Sequence, residues 1–146
     1  MALTTGHVGI NVTQLDRSRA FYQQVFGFEV IAEGKDPGHE FVFLGHGGQI
    51  VVTLWPQSEG RFGGQVPGLH HLSFQVDTLE EVLRAEATLR ELGAEFAYDG
   101  VVPHSEGAAS GGIFFTDPDG IRLEIYTPSG VKGEAPTPSA PTCGFF

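Results

Sequence analysis

The sequence His7-Val-Gly-Ile-Asn-Val-Thr-Gln-Leu15 returns further along the chain as His71-Leu-Ser-Phe-Gln-Val-Asp-Thr-Leu79. The two stretches begin 64 residues apart (71 − 7) in a chain of 146 residues. Each opens on a histidine, alternates apolar and polar residues as a half-buried strand does, and then enters a helical stretch. A repeat of this length predicts two similar modules packed as two copies, with a cleft where their sheets meet. Pseudo-twofold packing would bring the two histidines together.

The pattern around each copy predicts an α+β fold in which both modules run strand, helix, then three strands. In the first module the strands are predicted at 7–12, 28–32, 41–44 and 49–55, and the helix is capped by Asp16 and ended by Gly27. We expect a single domain over residues 1–128, with module one at 5–57 and module two at 69–128. A proline-rich tail of irregular structure covers 129–146.

The second module follows the same order, with strands predicted at 71–76, 94–98, 111–116 and 121–127. Thr78 and Glu81 have the spacing of a capping box at the start of its helix, which ends at Gly93. The last two strands form a hairpin turned by Asp117-Pro118-Asp119-Gly120. Helical spacing predicts an inward face made of Leu79, Val82, Leu83, Leu89 and Leu92.

Composition restricts the classes of function. Apolar residues make up 40% of the chain, enough for a packed core, and the net charge of −10 argues against nucleic acid as a partner. The start of the sequence lacks a signal-peptide pattern, and no stretch is apolar enough to span a membrane. The single cysteine, Cys143, excludes an internal disulfide and is interpreted as an incidental thiol. We therefore expect a cytoplasmic protein with a small-molecule partner.

Three side chains suggest a metal site. Glu124 lies on an otherwise apolar strand, on one face with Arg122 and Tyr126, and a buried carboxylate is costly unless it is paired or binds a cation. The structural alternative is a salt bridge to an arginine. With His7 and His71, Glu124 gives two imidazoles and one carboxylate, the ligand set that suits non-haem Fe(II). The same set would accept Mn, Co, Ni or Zn.

These features resemble the vicinal oxygen chelate superfamily, which includes glyoxalase I, extradiol dioxygenases, methylmalonyl-CoA epimerase, the fosfomycin thiol transferases and the bleomycin resistance proteins. The resemblance covers residues 5–128. It is carried by His7 and His71 at the strand starts and by three further segments, at 16–22, 26–28 and 117–124.

The resemblance implies two βαβββ modules whose curved sheets enclose a divalent metal. Carried over residue by residue, the ligand positions are His7, Thr53, His71 and Glu124. Glyoxalase I has a glutamate where this chain has Thr53, and a hydroxyl cannot replace that carboxylate base. Three protein ligands remain, as in extradiol dioxygenases and fosfomycin thiol transferases. Thr53 would instead hydrogen-bond a metal-bound water.

Dioxygenase-like chemistry on a catechol-like or enolisable carbonyl substrate is the favoured activity. His104 and Tyr126 are the candidate acid–base residues, and Thr53, Trp55 and Arg122 are candidate substrate contacts. A thiol transferase is the first alternative: the loop 105–110 resembles that of the fosfomycin enzymes, but the lysine expected just upstream is absent. The second alternative is a metal-free drug-sequestering protein, which would lack the full ligand set.

The resemblance implies a homodimer, since members of this size commonly form dimers. An isolated βαβββ unit leaves sheet edges and an apolar concave face exposed, so it must pair either within one chain or between two chains, and the sequence leaves both open. The tail is rich in proline and would ordinarily be disordered. We predict that Phe145 and Phe146 nevertheless dock in an apolar groove.

Overall fold

Two helices and two four-stranded mixed sheets make up the protein, which confirms the predicted α+β fold of two βαβββ modules. The computed structural model describes residues 1–146, and it separates into two units, Met1–Arg61 and Phe62–Phe146. The assignment of 1–128 to a single domain stays a prediction. Neither helix is long and apolar enough to cross a membrane.

The first unit has the strand order β1-β4-β3-β2, with β1 parallel to β4 and the other pairs antiparallel. Helix α1 buries Phe21, Tyr22 and Val25 and packs on β3 and β4. Its elements are β1 (Val8–Asn11), α1 (Leu15–Phe26), β2 (Glu29–Gly34), β3 (Phe41–His46) and β4 (Gln49–Trp55).

The second unit repeats this topology as β5-β8-β7-β6, with β5 parallel to β8. Helix α2 buries Val82, Ala85 and Leu89 and packs on β7 and β8. Its elements are β5 (Leu72–Gln75), α2 (Leu79–Glu91), β6 (Val102–Pro103), β7 (Gly111–Thr116), β8 (Arg122–Thr127) and a 3-10 helix (Thr142–Gly144).

Strand register makes the two units equivalent residue by residue. Gly9 pairs with Thr53 in the first sheet, and Ser73 pairs with Glu124 in the second. His7 and His71 each lie two residues before those pairs, immediately ahead of a strand. Thr53 and Glu124 therefore occupy the same position of the repeat, as the sequence match predicts.

The two helix starts differ from each other. The capping box is confirmed, since the Glu81 amide donates to Thr78 Oγ1 at 3.3 Å and Thr78 N–H donates to the Glu81 carboxylate at 3.0 Å. The predicted cap at Asp16 is wrong, because α1 begins at Leu15 and its N-cap, Gln14, makes no side-chain hydrogen bond. Asp16 instead lies in the first turn, where its charge favours the positive end of the helix dipole.

The predicted strand 94–98 is reduced to an isolated bridge between Phe96 and Phe115. Its edge position is shared with β6, which pairs with Gly111 and Gly112 at the other end of β7. The edge strand is thus split in two, and the chain turns between the pieces at Gly100, whose φ is 74°.

The prediction that Leu83 and Leu92 face inward from α2 is wrong. Leu83 is 46% exposed and Leu92 is 41% exposed. The buried face follows Val82, Ala85 and Leu89, and Leu83 lies about 100° around the helix from Val82. Leu92 is the C-cap residue, at the end of the helix.

Candidate functional site

Glu124 is the centre of a polar cluster on the second sheet. We call the face that carries Arg122, Glu124 and Tyr126 the open face, since Leu123 and Ile125 alternate toward the other side. Glu124 is only 2% exposed. Its Oε1 lies 2.5 Å from His104 Nε2, and its Oε2 lies 3.9 Å from His71 Nε2. Its side-chain partners are therefore histidines rather than the arginine that the structural alternative required.

His71 is placed by the start of β5 and is partly buried. Burial lowers the pKa of His71, and the nearby Glu124 carboxylate opposes that shift, which leaves the imidazole neutral around pH 7. Its Nδ1 lies 2.8 Å from Nδ1 of His70, so one of these two nitrogens donates and the other accepts. The remaining nitrogen, Nε2, faces Glu124.

His104 follows directly after β6, and its backbone N–H donates to the carbonyl of Ser110 at 3.0 Å. The same two residues meet through their side chains, since His104 Nδ1 lies 3.0 Å from Ser110 Oγ. Because a carboxylate accepts, the N–H at His104 Nε2 is the donor in its 2.5 Å contact with Glu124. The sequence analysis did not identify Ser110 as a site residue. The signal available for it was its position opposite His104, across a turn that contains Gly107.

Tyr126 and Arg122 extend from the same face of β8, and both have intramolecular partners. The Tyr126 hydroxyl donates to Gln75 Oε1 at 2.8 Å, and its ring lies 4.9 Å from the His104 ring. Arg122 Nη1 donates to the backbone carbonyl of His70 at 3.1 Å. Arg122 therefore binds the segment that leads into His71.

The first unit carries the other three predicted site residues. His7 is exposed and immediately precedes β1. Thr53 is buried and accepts a hydrogen bond of 2.9 Å from Trp55 Nε1. The Trp55 ring also packs against Phe41 and Phe43, at centroid distances of 5.8 and 5.7 Å. Thr53 and Trp55 thus form one hydrogen-bonded pair beside an aromatic cluster.

The C-terminal residue lies against the open face. The Phe146 ring centroid is 5.5 Å from that of His71 and 4.8 Å from that of Phe114. The docking predicted for Phe146 is therefore confirmed, but its surroundings are as much imidazole as apolar. The docking predicted for Phe145 is wrong, since that residue is 66% exposed.

The donor chemistry within the second unit fits a divalent cation. A neutral imidazole and a buried carboxylate are ligands that Fe, Mn, Co, Ni and Zn accept. No group of three or more histidine, cysteine, aspartate or glutamate side chains is arranged as a metal site. The predicted ligand set of His7, His71 and Glu124 therefore stays a prediction.

Comparison with known proteins identifies the class to which this fold and this cluster belong. The model of the Glyoxalase/Bleomycin resistance protein/Dioxygenase superfamily matches residues 4–125, and the chain belongs to that superfamily. This confirms the resemblance stated from the sequence. A curated relative, the probable trivalent organoarsenical cleaving enzyme of Bacillus subtilis, is 35% identical over 120 residues, which cover 82% of this chain and 77% of that protein.

Solved structures agree on the fold. A glyoxylase/bleomycin resistance protein/dioxygenase domain from Frankia sp. EAN1pec has a TM-score of 0.75 at 24% identity, over 88% of this chain and 99% of that one. A mutant of the fosfomycin resistance protein FosX from Listeria monocytogenes has a TM-score of 0.67 at 22% identity, over 88% and 95% of the two chains. That FosX structure contains Mn(II) and 1S,2S-dihydroxypropylphosphonic acid.

Proposed function

We propose that this chain is a divalent-metal-dependent enzyme with dioxygenase-like chemistry on a small substrate that chelates the metal through two oxygen atoms. A catechol or an enolisable carbonyl compound has that chemistry. The observation that carries the proposal is the placement of the neutral His71 imidazole 3.9 Å from the carboxylate of Glu124, on one face of the sheet. The superfamily to which the chain belongs supports the same conclusion.

His7 completes the proposed ligand set with His71 and Glu124. Its support is the repeat, in which His7 and His71 hold the same position ahead of β1 and β5. Two histidines and one carboxylate leave open positions for substrate and oxygen, so Fe(II) is the favoured metal, with Mn, Ni, Co and Zn as the others to test. The Mn(II) in the FosX structure supports a metal of this class. A cytoplasmic homodimer completes the proposal.

A divalent cation at this position supplies Lewis-acid polarisation of substrate oxygens. His104 is the residue that we propose moves a proton, because its Nε2 already shares one with Glu124 and its Nδ1 is held by Ser110. The Tyr126 ring packs beside His104 and limits the orientation of the imidazole. Thr53, Trp55 and Arg122 remain the proposed substrate contacts.

The substrate is proposed to carry little negative charge. The chain has 8 lysines and arginines, and Arg122, which lies on the open face, is bound to the carbonyl of His70. A phosphonate would need a denser set of cations. The rings of Phe114 and Tyr126 on the same face favour an aromatic or carbonyl-bearing compound.

A trivalent organoarsenical is a second candidate substrate, favoured by the similarity to the Bacillus subtilis relative. Trivalent arsenic is a soft centre that binds thiolates, and the sequence offers one thiol. That thiol, Cys143, is half-buried in the 3-10 helix three residues before Phe146, whose ring contacts His71.

The first prediction tests the metal site. Substituting His71→Ala should lower the metal bound by freshly purified protein from about one equivalent to about a tenth or less, because the loss of a ligand costs most of the affinity. The matched control is His39→Ala, an exposed histidine that precedes β3, which should keep its metal. Metal content by elemental analysis is the measurement. Stoichiometric metal in His71→Ala would contradict the ligand assignment.

Reaction assays on the same preparations separate the activities. Iron together with oxygen uptake on adding catechol supports the dioxygenase. Manganese without oxygen uptake favours group transfer, and release of inorganic arsenic from phenylarsine oxide favours the organoarsenical reaction. A wild-type protein that binds no divalent metal would overturn the proposal in favour of a sequestering protein.

A further inference from the structure

The tail beyond the repeat is built into the second unit. Val131, Ala135 and Thr142 are each at most 5% exposed. The backbone N–H of Ala135 donates to the Glu106 carboxylate at 3.1 Å. Residues 131–142, which we call the anchored segment, are therefore fixed on this unit by both burial and hydrogen bonds.

Thr142 joins the anchored segment to the site itself. Its hydroxyl donates to the carbonyl of Pro103 at 2.6 Å, and its N–H donates to the carbonyl of His104 at 2.8 Å. His104 is the residue that shares a proton with Glu124. The anchored segment thus ends on the backbone of His104, a site residue. This contact positions residues 143–146 beside the open face.

Residues 143–146, the terminal segment, are held by fewer contacts. The Tyr98 hydroxyl lies 3.2 Å from the carbonyl of Phe145, and the Phe145 side chain is mostly exposed. Within the 3-10 helix, the N–H groups of Gly144 and Phe145 donate to the carbonyls of Pro141 and Thr142. The Phe146 ring contacts rings on the open face. This segment could leave the face while Thr142 and the anchored segment stayed in place.

The position taken by Phe146 is suited to an aromatic ring. Its centroid lies 4.8 Å from that of Phe114, 5.5 Å from that of His71 and 6.4 Å from that of His70, with interplanar angles of 72°, 63° and 75°. Edge-to-face contacts at such distances are the arrangement that aromatic pairs prefer. Three rings of the second unit therefore surround the ring of Phe146.

We infer that His71, His70 and Phe114 form a subsite for the aromatic ring of the substrate, and that Phe146 occupies it as a displaceable internal ligand. A planar aromatic compound and the Phe146 ring compete for the same contacts. The inference rests on the proposed function for the statement that the ligand is the substrate. The binding of a ring to this subsite requires no metal.

The test is an NMR titration of catechol into metal-free protein, followed through the imidazole resonances of His71. The variants are Phe146→Ala and its neighbour Phe145→Ala, which removes an equal side chain that does not touch the subsite. Aromatic pairs of this kind correspond to roughly 2- to 12-fold in an equilibrium constant, so Phe146→Ala should lower the Kd of catechol about threefold or more. Phe145→Ala should leave it unchanged. Tyr98→Phe removes the hydroxyl that bonds to the carbonyls of Phe145 and Thr142 and keeps the ring on Phe114. Because Thr142 keeps its two bonds to the carbonyls of Pro103 and His104, this variant should lower the Kd by an intermediate factor.

Tighter binding confined to Phe146→Ala and Tyr98→Phe supports the inference. An unchanged Kd in Phe146→Ala overturns it, because Phe146 would then not compete. A higher Kd for catechol in Phe146→Ala also overturns it, because the Phe146 ring would then contact the bound catechol instead of competing with it. Failure of the proposed function is read separately, from the metal content of the wild type, which the metal-free titration does not use.

Discussion

At the scale of single residues, the unusual feature is a carboxylate buried in a sheet face. Burying a charged group costs free energy that a pair of partners recovers only in part. Glu124 has two histidine partners, and the nearer of them, His104, is itself partly exposed. We expect a carboxylate in this setting to add little to the stability of the fold, which agrees with the proposed role of Glu124 as a metal ligand.

Glu124→Leu tests that statement. Both histidine partners are partly exposed and can hydrogen-bond to water, so replacing Glu124 alone leaves no buried charge unpaired. The unfolding free energy of metal-free protein should therefore stay within about 1 kcal/mol of the wild type or rise. Metal binding should be lost. Denaturant unfolding followed by circular dichroism, with metal analysis in parallel, measures both.

The matched control for Glu124→Leu is the adjacent residue on the opposite face. Leu123 is fully buried, and Leu123→Ala should cost about 2–5 kcal/mol through the cavity that it leaves. A loss in Glu124→Leu as large as in Leu123→Ala would show that the carboxylate is structural.

Most of the residues that form the cluster could be predicted from the sequence. His71 followed from the repeat, and the alternation of β8 placed Glu124 on the face that the structure assigns to it. The bond between His104 and Glu124 could not be predicted, because His104 lies at the start of the irregular loop that precedes β7, 20 positions before Glu124. No periodicity describes such a loop, so only the folded chain brings the two together.

At the scale of elements, α2 shows how local sequence specifies a helix start. Thr78 and Glu81 satisfy each other's backbone donors, and Gly93 ends the turn with a positive φ of 71°. Such signals act within four residues, where chain entropy leaves few alternatives. The edge strand of the same unit lacks a signal of this kind, which is why its division into two pieces was not predicted.

Thr78→Ala should lower the unfolding free energy by about 0.5–2 kcal/mol, because the backbone N–H of Glu81 loses its acceptor, Thr78 Oγ1. Thr88→Ala, within the exposed part of the same helix, should change it by less. Thermal or denaturant unfolding at pH 7 measures the difference. Equal effects of the two substitutions would contradict the role of the cap.

The same cap gives a direction for pH dependence. Hydrogen bonds from the Thr78 side chain and backbone lower the pKa of Glu81 below 4.5. A carboxyl whose folded pKa is depressed stabilises the fold above its unfolded pKa, and that stabilisation is lost as the pH falls through the folded pKa. The gap in stability between the wild type and Glu81→Gln should therefore narrow on acidification below about pH 4.5.

At the scale of the whole molecule, the repeat governs the architecture and the tail departs from it. The two sheets have the same strand order, β1-β4-β3-β2 and β5-β8-β7-β6. Only the second unit is extended by residues that return to its own site. The repeat visible in the sequence therefore explains the two sheets. The tail gives only the second unit an aromatic ring, that of Phe146, packed against its own site residue His71.

Deleting residues 129–146 should destabilise the protein by about 2 kcal/mol or more, since Val131 and other buried groups lose their contacts. Deleting 143–146 alone should cost clearly less, because the anchored segment remains. Thermal unfolding of both truncations, with oligomer size from gel filtration, is the measurement. Equal losses from the two deletions, or no loss from the longer one, would contradict the division into anchored and terminal segments.

The sequence pattern predicts the module order, the turn glycines, the capping box and the face of β8 on which Glu124 lies. These depend on periodicity and on contacts between residues close along the chain, which a pattern of side chains encodes directly. Tertiary structure alone decided that His104 is the partner of Glu124 and that the ring of Phe146 lies on His71. Both contacts join loops or a terminus to a distant strand, and their geometry follows from how the whole unit packs.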